Sequence, residues 1–281
     1  MPRDIEMSEE ASVRERALVA TGDELAVLLH HASTEVVLAL LDNPALDETH
    51  VCLILERKSL STEVLEEVAR RKPLLKSYRI KRALAFHPRT PRLVSLRLLR
   101  DLYLMDLVQV AILPGVSAEL KRNAEDQLLA RLPQLPLGQK ITLARRGPAR
   151  VAGALLAEGH AQVVPIVLDN PYMTEAQILR ALSRERLPLS VIPAIVQHRK
   201  WSITYTIRLA LVRNPAAPLA TILSYLPELT VSDLRELAAP GIVPENLRKY
   251  LQAEVQRRLR ASEKKAGRDT APDDSSASKP D

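Results

Sequence analysis

The feature that most constrains this chain is an internal repeat, in which the residue numbers of matching positions differ by 127. Residues 36–132 align with residues 163–259 without a gap, and 27 of the 97 aligned positions are identical. Composition alone would give roughly one identity in twelve positions in a chain so rich in leucine. The sequence Leu-Asp-Asn-Pro occurs in both copies. A period of this length predicts that one set of structural elements is used twice.

The composition favours helices as those elements. Of the 281 residues, 46% are apolar but only 3% are aromatic, and the chain has 8 glycines against 20 prolines. Strands favour β-branched and aromatic residues, and dinucleotide-binding folds need a glycine-rich loop, so neither class fits. Leucine- and alanine-rich segments separated by prolines predict short helices, which must stack on neighbours to be stable. We therefore predict an all-α fold, an α-solenoid of short antiparallel helices.

Short motifs predict where helices begin and which face they bury. Thr174 and Gln177 have the spacing of a capping box, in which each side chain bonds the backbone of the other residue. Thr90 stands before a proline, as expected of a capping hydroxyl with proline at the first helical position. His87 takes the place of Asn214 in the other copy, so we predict a role in the turn. Between residues 77 and 87, one buried stripe is formed at helical spacing by Ile80, Ala83, Leu84 and His87.

The predicted organisation is one continuous array with two unstructured ends. The segments are a flexible N-terminus (1–12), a single solenoid (13–261) and a disordered tail (262–281), with copy one at 36–132, a helical join at 133–162 and copy two at 163–259. The join itself has a helical pattern, which favours one array over two domains. The tail is rich in Asp, Ser and Pro, and its few apolar side chains cannot offset the entropy of ordering it.

The repeated units carry a recognisable motif. The segments IKRALAFHPRTPRLV and IRLALVRNPAAPLAT share the pattern Arg/Lys-x-Ala-Leu-x-x-Asn/His-Pro-x-x-Pro. This pattern resembles the leucine-rich repeat variant family and the wider group of HEAT-like helical repeats of bacteria. The resemblance implies a right-handed α-solenoid over most of residues 34–260 and no single activity. One type of member binds an iron–sulfur cluster through N-terminal cysteines, but this chain has no cysteine there, so no cofactor is implied.

Basic residues are concentrated in the first copy. Residues 70–100 contain 11 Lys and Arg and no Asp or Glu, whereas the matching residues 197–227 contain four. If these side chains converge, they form a ridge that can neutralise phosphates. The alternative is that they cover the apolar solenoid while their charged ends stay in water. The candidate residues for binding an anion or a partner are Arg70, Arg71, Lys72, Lys76, Tyr78, Arg79, Lys81, Arg82, Arg89, Arg92, Arg97, Arg100 and Arg208.

Each copy also has a tyrosine with a basic residue on the same helix face. Tyr78 and Lys81, and Tyr205 and Arg208, are three positions apart. Such a pair can stack on a base and contact a phosphate. The alternative is a core tyrosine with a satisfied hydroxyl.

No catalytic or metal-binding motif is present. The chain lacks a nucleophile signature, a phosphate loop and a dinucleotide loop, its six histidines are not spaced as ligands, and Cys52 is its only cysteine. We therefore predict a non-enzymatic cytoplasmic scaffold for protein–protein interaction, without a cofactor or membrane span. The alternative is binding of nucleic acid or another polyanion through residues 70–100. A more remote alternative is a helical-repeat DNA glycosylase, but the chain is poor in the aromatic residues that such an enzyme uses.

Overall fold

The computed structural model describes the backbone of residues 2–184 and 186–269 and the side chains of residues 11–184 and 186–262. All the regular elements in this part of the chain are helical, so the all-α prediction is confirmed. No described helix is long and apolar enough to cross a membrane.

The first nine helices are α1 (Pro2–Val19), α2 (Gly22–Leu28), α3 (Thr34–Leu40), α4 (Glu48–Glu56), α5 (Thr62–Arg70), α6 (Tyr78–Phe86), α7 (Arg92–Leu98), α8 (Leu104–Ile112) and α9 (Ala118–Arg131). They are followed by α10 (Leu137–Arg146), α11 (Ala149–Glu158), α12 (Val164–Leu168), α13 (Glu175–Leu182), α14 (Val191–Gln197), α15 (Tyr205–Arg213), α16 (Leu219–Tyr225), α17 (Val231–Leu237) and α18 (Glu245–Asp269).

The helices belong to two compact units, which meet in the sequence between Pro136 and Leu137. In the first unit, α3 packs against α1 and α5, and α7 packs against α9. Arg97 of α7 also donates to the carbonyl of Ala69 in α5, which completes a row of α1, α3, α5, α7 and α9. A second row consists of α4, α6 and α8, in which α4 packs against α6 and Arg82 of α6 pairs with Asp106 of α8. Each helix in a row therefore lies beside the helix two places away in the sequence.

The second unit shows the same alternation. Helix α12 packs against α10 and α14, and α13 packs against α11 and α15. The bounds of α15 and α16 follow those of α6 and α7 at the offset of the sequence repeat. The segment predicted as a join contains α10 and α11, which belong to this second unit. The single continuous array over residues 13–261 stays a prediction.

Aliphatic side chains fill the core, as the composition requires. The predicted stripe on α6 is buried at Ile80, Leu84 and His87, and its counterpart on α15 is buried at Ile207 and Leu211. Full burial of one aliphatic side chain stabilises a fold by about 1.5–3 kcal/mol, more than a helix of nine residues gains from its own hydrogen bonds. Packing between rows therefore holds these short helices together.

Two of the predicted helix starts differ in detail. Thr174 is the N-cap of α13, but its side chain makes no capping bond, because the backbone N–H of Gln177 donates to the Thr174 carbonyl instead, at 3.1 Å. The Gln177 side chain lies against Gly153 rather than at the N-cap. The capping box forms instead at the equivalent position in the first unit, where Asp47 caps α4 with His50 as its partner.

The Thr90-Pro91 start is also shifted. Helix α7 begins after Pro91 rather than at it, and the Thr90 hydroxyl does not cap this helix. It donates at 2.7 Å to the carbonyl of Leu84, which lies near the end of the preceding helix α6. The Thr90 hydroxyl thus satisfies a carbonyl near the end of α6 instead of an N–H group at the start of α7.

The predicted flexible ends overlap with helices. Residues 2–12 lie in α1, and residues 262–269 lie in α18. Glu, Met, Ala, Lys and Arg, which have high helix propensity, make up most of both stretches. Residues 270–281 of the predicted tail, and Met1, lie outside the described residues.

Buried asparagines connect the turns to earlier helices. The Nδ2 of Asn43 donates to the carbonyls of Ala17 and Ala20 at 2.8 and 2.9 Å, and its Oδ1 accepts from the backbone N–H of Ala45. Its repeat counterpart Asn170 makes the corresponding bonds to Ala144, Gly147 and Tyr172. At the next turns, His87 and Asn214 each accept a backbone N–H two residues ahead, which confirms the predicted turn role of His87.

Replacement of these asparagines is expected to destabilise the protein. Asn43→Ala or Asn170→Ala removes the side-chain partner of two buried carbonyls and one half-buried N–H, which should lower the free energy of unfolding by about 2–4 kcal/mol. Urea unfolding followed by circular dichroism measures this change.

The matched control for this experiment is Asn123→Ala in α9, whose side chain bonds only a carbonyl of its own helix. The control should change stability by less than about 0.5 kcal/mol. A loss below about 1 kcal/mol in both asparagine variants would show that these bonds do not hold the turns.

Candidate binding surfaces

The ends of the helices define two edges of the first unit. At one of them, here called the first edge, Arg131 at the end of α9 donates at 2.8 Å to two carbonyls just beyond α7. Tyr78 at the start of α6 bonds Asp106 in the first turn of α8 on the same edge. The opposite ends of these helices form the second edge. There, Arg92 at the start of α7 pairs with Glu119 at the start of α9.

The basic residues of 70–100 are divided between these edges. Six lie on the first edge, at the ends of α5 and α7 and in the connection to α6: Arg70, Arg71, Lys72, Lys76, Arg97 and Arg100. Three lie along α6: Arg79, Lys81 and Arg82. The other two lie on the second edge: Arg89 and Arg92. The structure therefore brings together about half of the predicted ridge.

Carboxylates from outside the 70–100 segment neutralise several of these cations. The sequence window contains no acid, but neighbouring helices and connections supply them. The pairs are Arg70–Glu66, Arg71–Asp42, Arg71–Glu67, Arg79–Glu48, Lys81–Asp101, Arg82–Asp106 and Arg92–Glu119. Exposed pairs contribute about 0–1 kcal/mol each, so their main effect is to reduce the net positive charge.

Two further arginines contact backbone carbonyls. Arg89 donates to Ser59 at 3.0 Å, and Arg97 donates to Ala69 at 3.1 Å. Both contacts satisfy carbonyls near the end of an earlier helix and leave the positive charge without a carboxylate partner. Among the described residues, no hydrogen bond or ion pair is made by the exposed side chains of Lys72, Lys76 and Arg100.

Tyr78 is held in place by its neighbours on the first edge. Its hydroxyl donates to the carboxylate of Asp106 and accepts from the backbone N–H of Tyr103 at 2.9 Å. Burial, followed by the bond to Asp106, raises the pKa of Tyr78 to about 12. The ring of Tyr103 stacks on that of Tyr78, with centroids 3.9 Å apart, yet 65% of Tyr103 stays exposed. Sequence comparison of the two copies did not single out Tyr103, because its counterpart is Thr230.

Tyr205 has the same surroundings in the second unit. Its hydroxyl donates to Asp233 and accepts from the backbone N–H of Thr230 at 3.0 Å. The Thr230 hydroxyl, followed by that of Tyr205, lowers the pKa of Asp233. The hydroxyl of each repeated tyrosine is thus occupied by structural bonds. The basic residues three positions further on also make structural contacts, as the ion pairs Lys81–Asp101 and Arg208–Glu228.

A groove of about 330 Å³ lies between α4 and α6 and is called the α4–α6 groove below. Its apolar lining comes from Cys52, Leu55, Ala83 and Phe86, and its charged lining comes from Glu56, Lys58, Arg79 and Arg82. The guanidinium of Arg82 lies 5.1 Å from the centre of the Phe86 ring, and burial raises the pKa of the Cys52 thiol. Phe86, His87 and Pro88 also line a second cleft of about 390 Å³ on the second edge.

The described residues contain no group of three His, Cys, Asp or Glu that is placed to hold a metal ion. The chain matches no protein-family model, no curated protein and no solved structure. Its resemblance to leucine-rich repeat variant and HEAT-like proteins therefore stays a prediction that rests on the repeated motif.

The environment of Tyr78 leads to a prediction about alkaline pH. The folded chain favours the neutral form of the Tyr78 phenol. The phenol therefore makes its full contribution to the free energy of unfolding below pH 10.0, the ordinary pKa of tyrosine, and this contribution is lost as the pH rises from 10.0 to about 12. Titration of tyrosinate absorbance should show a component that ionises near the upper value, in addition to Tyr225, whose pKa burial also raises. This component should disappear in Tyr78→Phe and persist in the exposed control Tyr250→Phe. Its persistence in Tyr78→Phe would contradict the assignment.

Proposed function

We propose that this chain is a non-enzymatic scaffold, a duplicated α-solenoid of the HEAT-like type that binds a protein partner. The recurrence of helix bounds and of the Asn43 and Asn170 bonds at the offset of the sequence repeat supports the duplication. The packing of alternate helices into rows supports the solenoid. A lone buried cysteine suits the reducing cytoplasm, which we propose as its location.

The observation that carries the binding function is the α4–α6 groove. Grooves between helices commonly receive an amphipathic segment of a partner, whose apolar side chains anchor it. Here Phe86 lines the groove, and the side chain of Arg79, which Glu48 approaches only to 3.7 Å, is 66% exposed. Lys58 is also exposed, and no described side chain pairs with it. This combination fits a segment that has an apolar anchor flanked by carboxylates.

The second unit offers an internal comparison for the groove. The positions that match Arg79, Arg82 and Phe86 are occupied there by Thr206, Leu209 and Arg213. Helix α15 nevertheless has the same length as α6 and buries the same stripe. The basic and aromatic lining is therefore not needed for folding, which supports a role in binding.

Selection from a display library of random peptides on the purified chain tests this proposal. We expect enrichment of peptides that carry an aromatic or aliphatic residue beside Asp or Glu. The enriched peptides, made synthetically, should bind Phe86→Ala and the double variant Lys58→Gln/Arg79→Gln at least about tenfold more weakly. Thermal unfolding of each variant establishes that it is folded.

The control is the double variant Lys249→Gln/Arg260→Gln on α18, which removes the same charge at sites remote in the sequence. It should bind the enriched peptides as tightly as the unchanged chain does. Enrichment of peptides without carboxylates, or equal binding by the groove variants and the control, would rule out the α4–α6 groove as the binding site.

A further inference from the structure

The first edge of the first unit carries positive charge that the fold does not neutralise. Lys72 and Lys76 are exposed in the connection between α5 and α6, and Arg100 is exposed just after α7. Arg97 joins these two places, because it reaches from α7 to the carbonyl of Ala69, three residues before Lys72. The nearest acid in the sequence, Asp101, is 2.7 Å from Lys81 and paired with it. The edge therefore presents several cations with no carboxylate partner in the described chain.

An exposed aromatic ring stands among these cations. Tyr103 follows Arg100 closely in the chain, and Arg131 donates to the carbonyls of Arg100 and Leu102. One face of the Tyr103 ring is covered by Tyr78, so its 65% exposure comes from the other face and the edges. The backbone N–H of Tyr103 also donates to the Tyr78 hydroxyl, which holds Tyr78 beside this segment. The other face of the Tyr103 ring is accessible to a planar ligand.

The second unit lacks these features but keeps the framework around them. The counterparts of Lys76, Arg97, Arg100 and Tyr103 are Ile203, Ser224, Pro227 and Thr230. The supporting contacts are retained there: Tyr205–Asp233, Arg208–Glu228 and Arg258 to the carbonyls of Leu226 and Leu229. The fold therefore does not require the unpaired cations or the exposed ring of the first unit, although Lys72 does have a basic counterpart, Arg199.

We propose that this edge binds single-stranded nucleic acid, with a base stacked on the free face of Tyr103 and phosphates at Lys72, Lys76 and Arg100. Cations along a path bind the backbone of any strand, whereas an aromatic ring needs an open base face, which the neighbouring base pairs cover inside a duplex. An acidic protein segment could use the cations but not the ring in this way. This site lies on the first edge, whereas the second cleft lies on the second edge. The variants that test the site do not alter the α4–α6 groove.

The contribution of the ring is tested by fluorescence anisotropy with a labelled oligothymidine of about 20 nucleotides, a length that covers a typical site. Tyr103→Thr installs the residue that the second unit has at this position, where the Thr230 hydroxyl accepts the Asp233 N–H at 3.1 Å, so the variant should fold. We expect its affinity for the single strand to fall about tenfold, the loss of one stacked base. Its affinity for a duplex of the same length should be unchanged, and the exposed control Tyr250→Ala should alter neither.

The contribution of the cations is tested with Lys76→Gln/Arg100→Gln. This variant should bind both the single strand and the duplex more weakly, and the slope of log affinity against log salt should fall by about 1.4 for the single strand, the value for two phosphate contacts. Lys249→Gln/Arg260→Gln, which changes the net charge equally, should leave the slope unchanged.

Three results would overturn the proposal, and each has a different meaning. If the unchanged chain binds neither oligonucleotide at low salt, the edge is not a nucleic-acid site. If Tyr103→Thr weakens binding of the duplex as much as of the single strand, or of neither, the ring does not select unpaired bases. If polyglutamate of equal charge displaces oligothymidine as well as unlabelled oligothymidine does, the site is one for an acidic protein. None of these results bears on peptide binding by the α4–α6 groove, which Lys58→Gln/Arg79→Gln tests separately.

Discussion

Unsatisfied carbonyls at the ends of short helices are the constraint on which this structure depends. Each helix leaves four carbonyls without an intrahelical partner, and many helices here have only seven to nine residues, so about half of their carbonyls need another donor. At several helix ends, side chains 23 to 33 residues further along the chain supply it. Arg57, for example, donates to the carbonyls of Leu29 and His31 at 2.8 Å. Because each such bond joins one helix end to a later one, it fixes the stacking of helices within a row.

This constraint explains much of the arginine content. Arginine has five donors on a long side chain, so it can reach two carbonyls and keep its charge in water. Arg131 and its repeat counterpart Arg258 both do so. Other arginines, such as Arg82, pair with carboxylates of a neighbouring helix. An excess of basic residues in a helical repeat therefore indicates structural bonds first. The cations that make no such contact, such as Lys76 and Arg100, are the ones that indicate a binding surface.

The sequence predicted the helices, the buried stripe on α6 and the N-cap position of Thr174, because these follow from local spacing. Identity between residues 10–35 and 137–162 is limited to Ala17, Leu28 and Leu29 and their counterparts, so the comparison of the two copies did not include the helices that accept the Asn43 and Asn170 bonds. The partners of the basic residues were also missed, because Glu48 and Asp106 approach them only through packing of α4 and α8 against α6. Tyr103 was missed for a related reason: its importance comes from stacking on Tyr78, which spacing along the chain does not reveal.

The two units separate what the fold requires from what one unit has in addition. A contact present in both, such as the bond from Tyr78 or Tyr205 to the aspartate 28 residues later, is explained by the stability of the unit. A side chain present in one unit alone cannot be explained in that way, because the other unit folds without it. Tyr103 and Phe86 are both of this second kind, and both are accessible to a ligand. Lys76 and Arg100 near Tyr103, and Lys58 near Phe86, have no carboxylate partner among the described residues. The first unit is accordingly the one in which ligand binding should be sought, since these accessible aromatic rings and the cations Lys76 and Arg100 have no counterpart in the second unit.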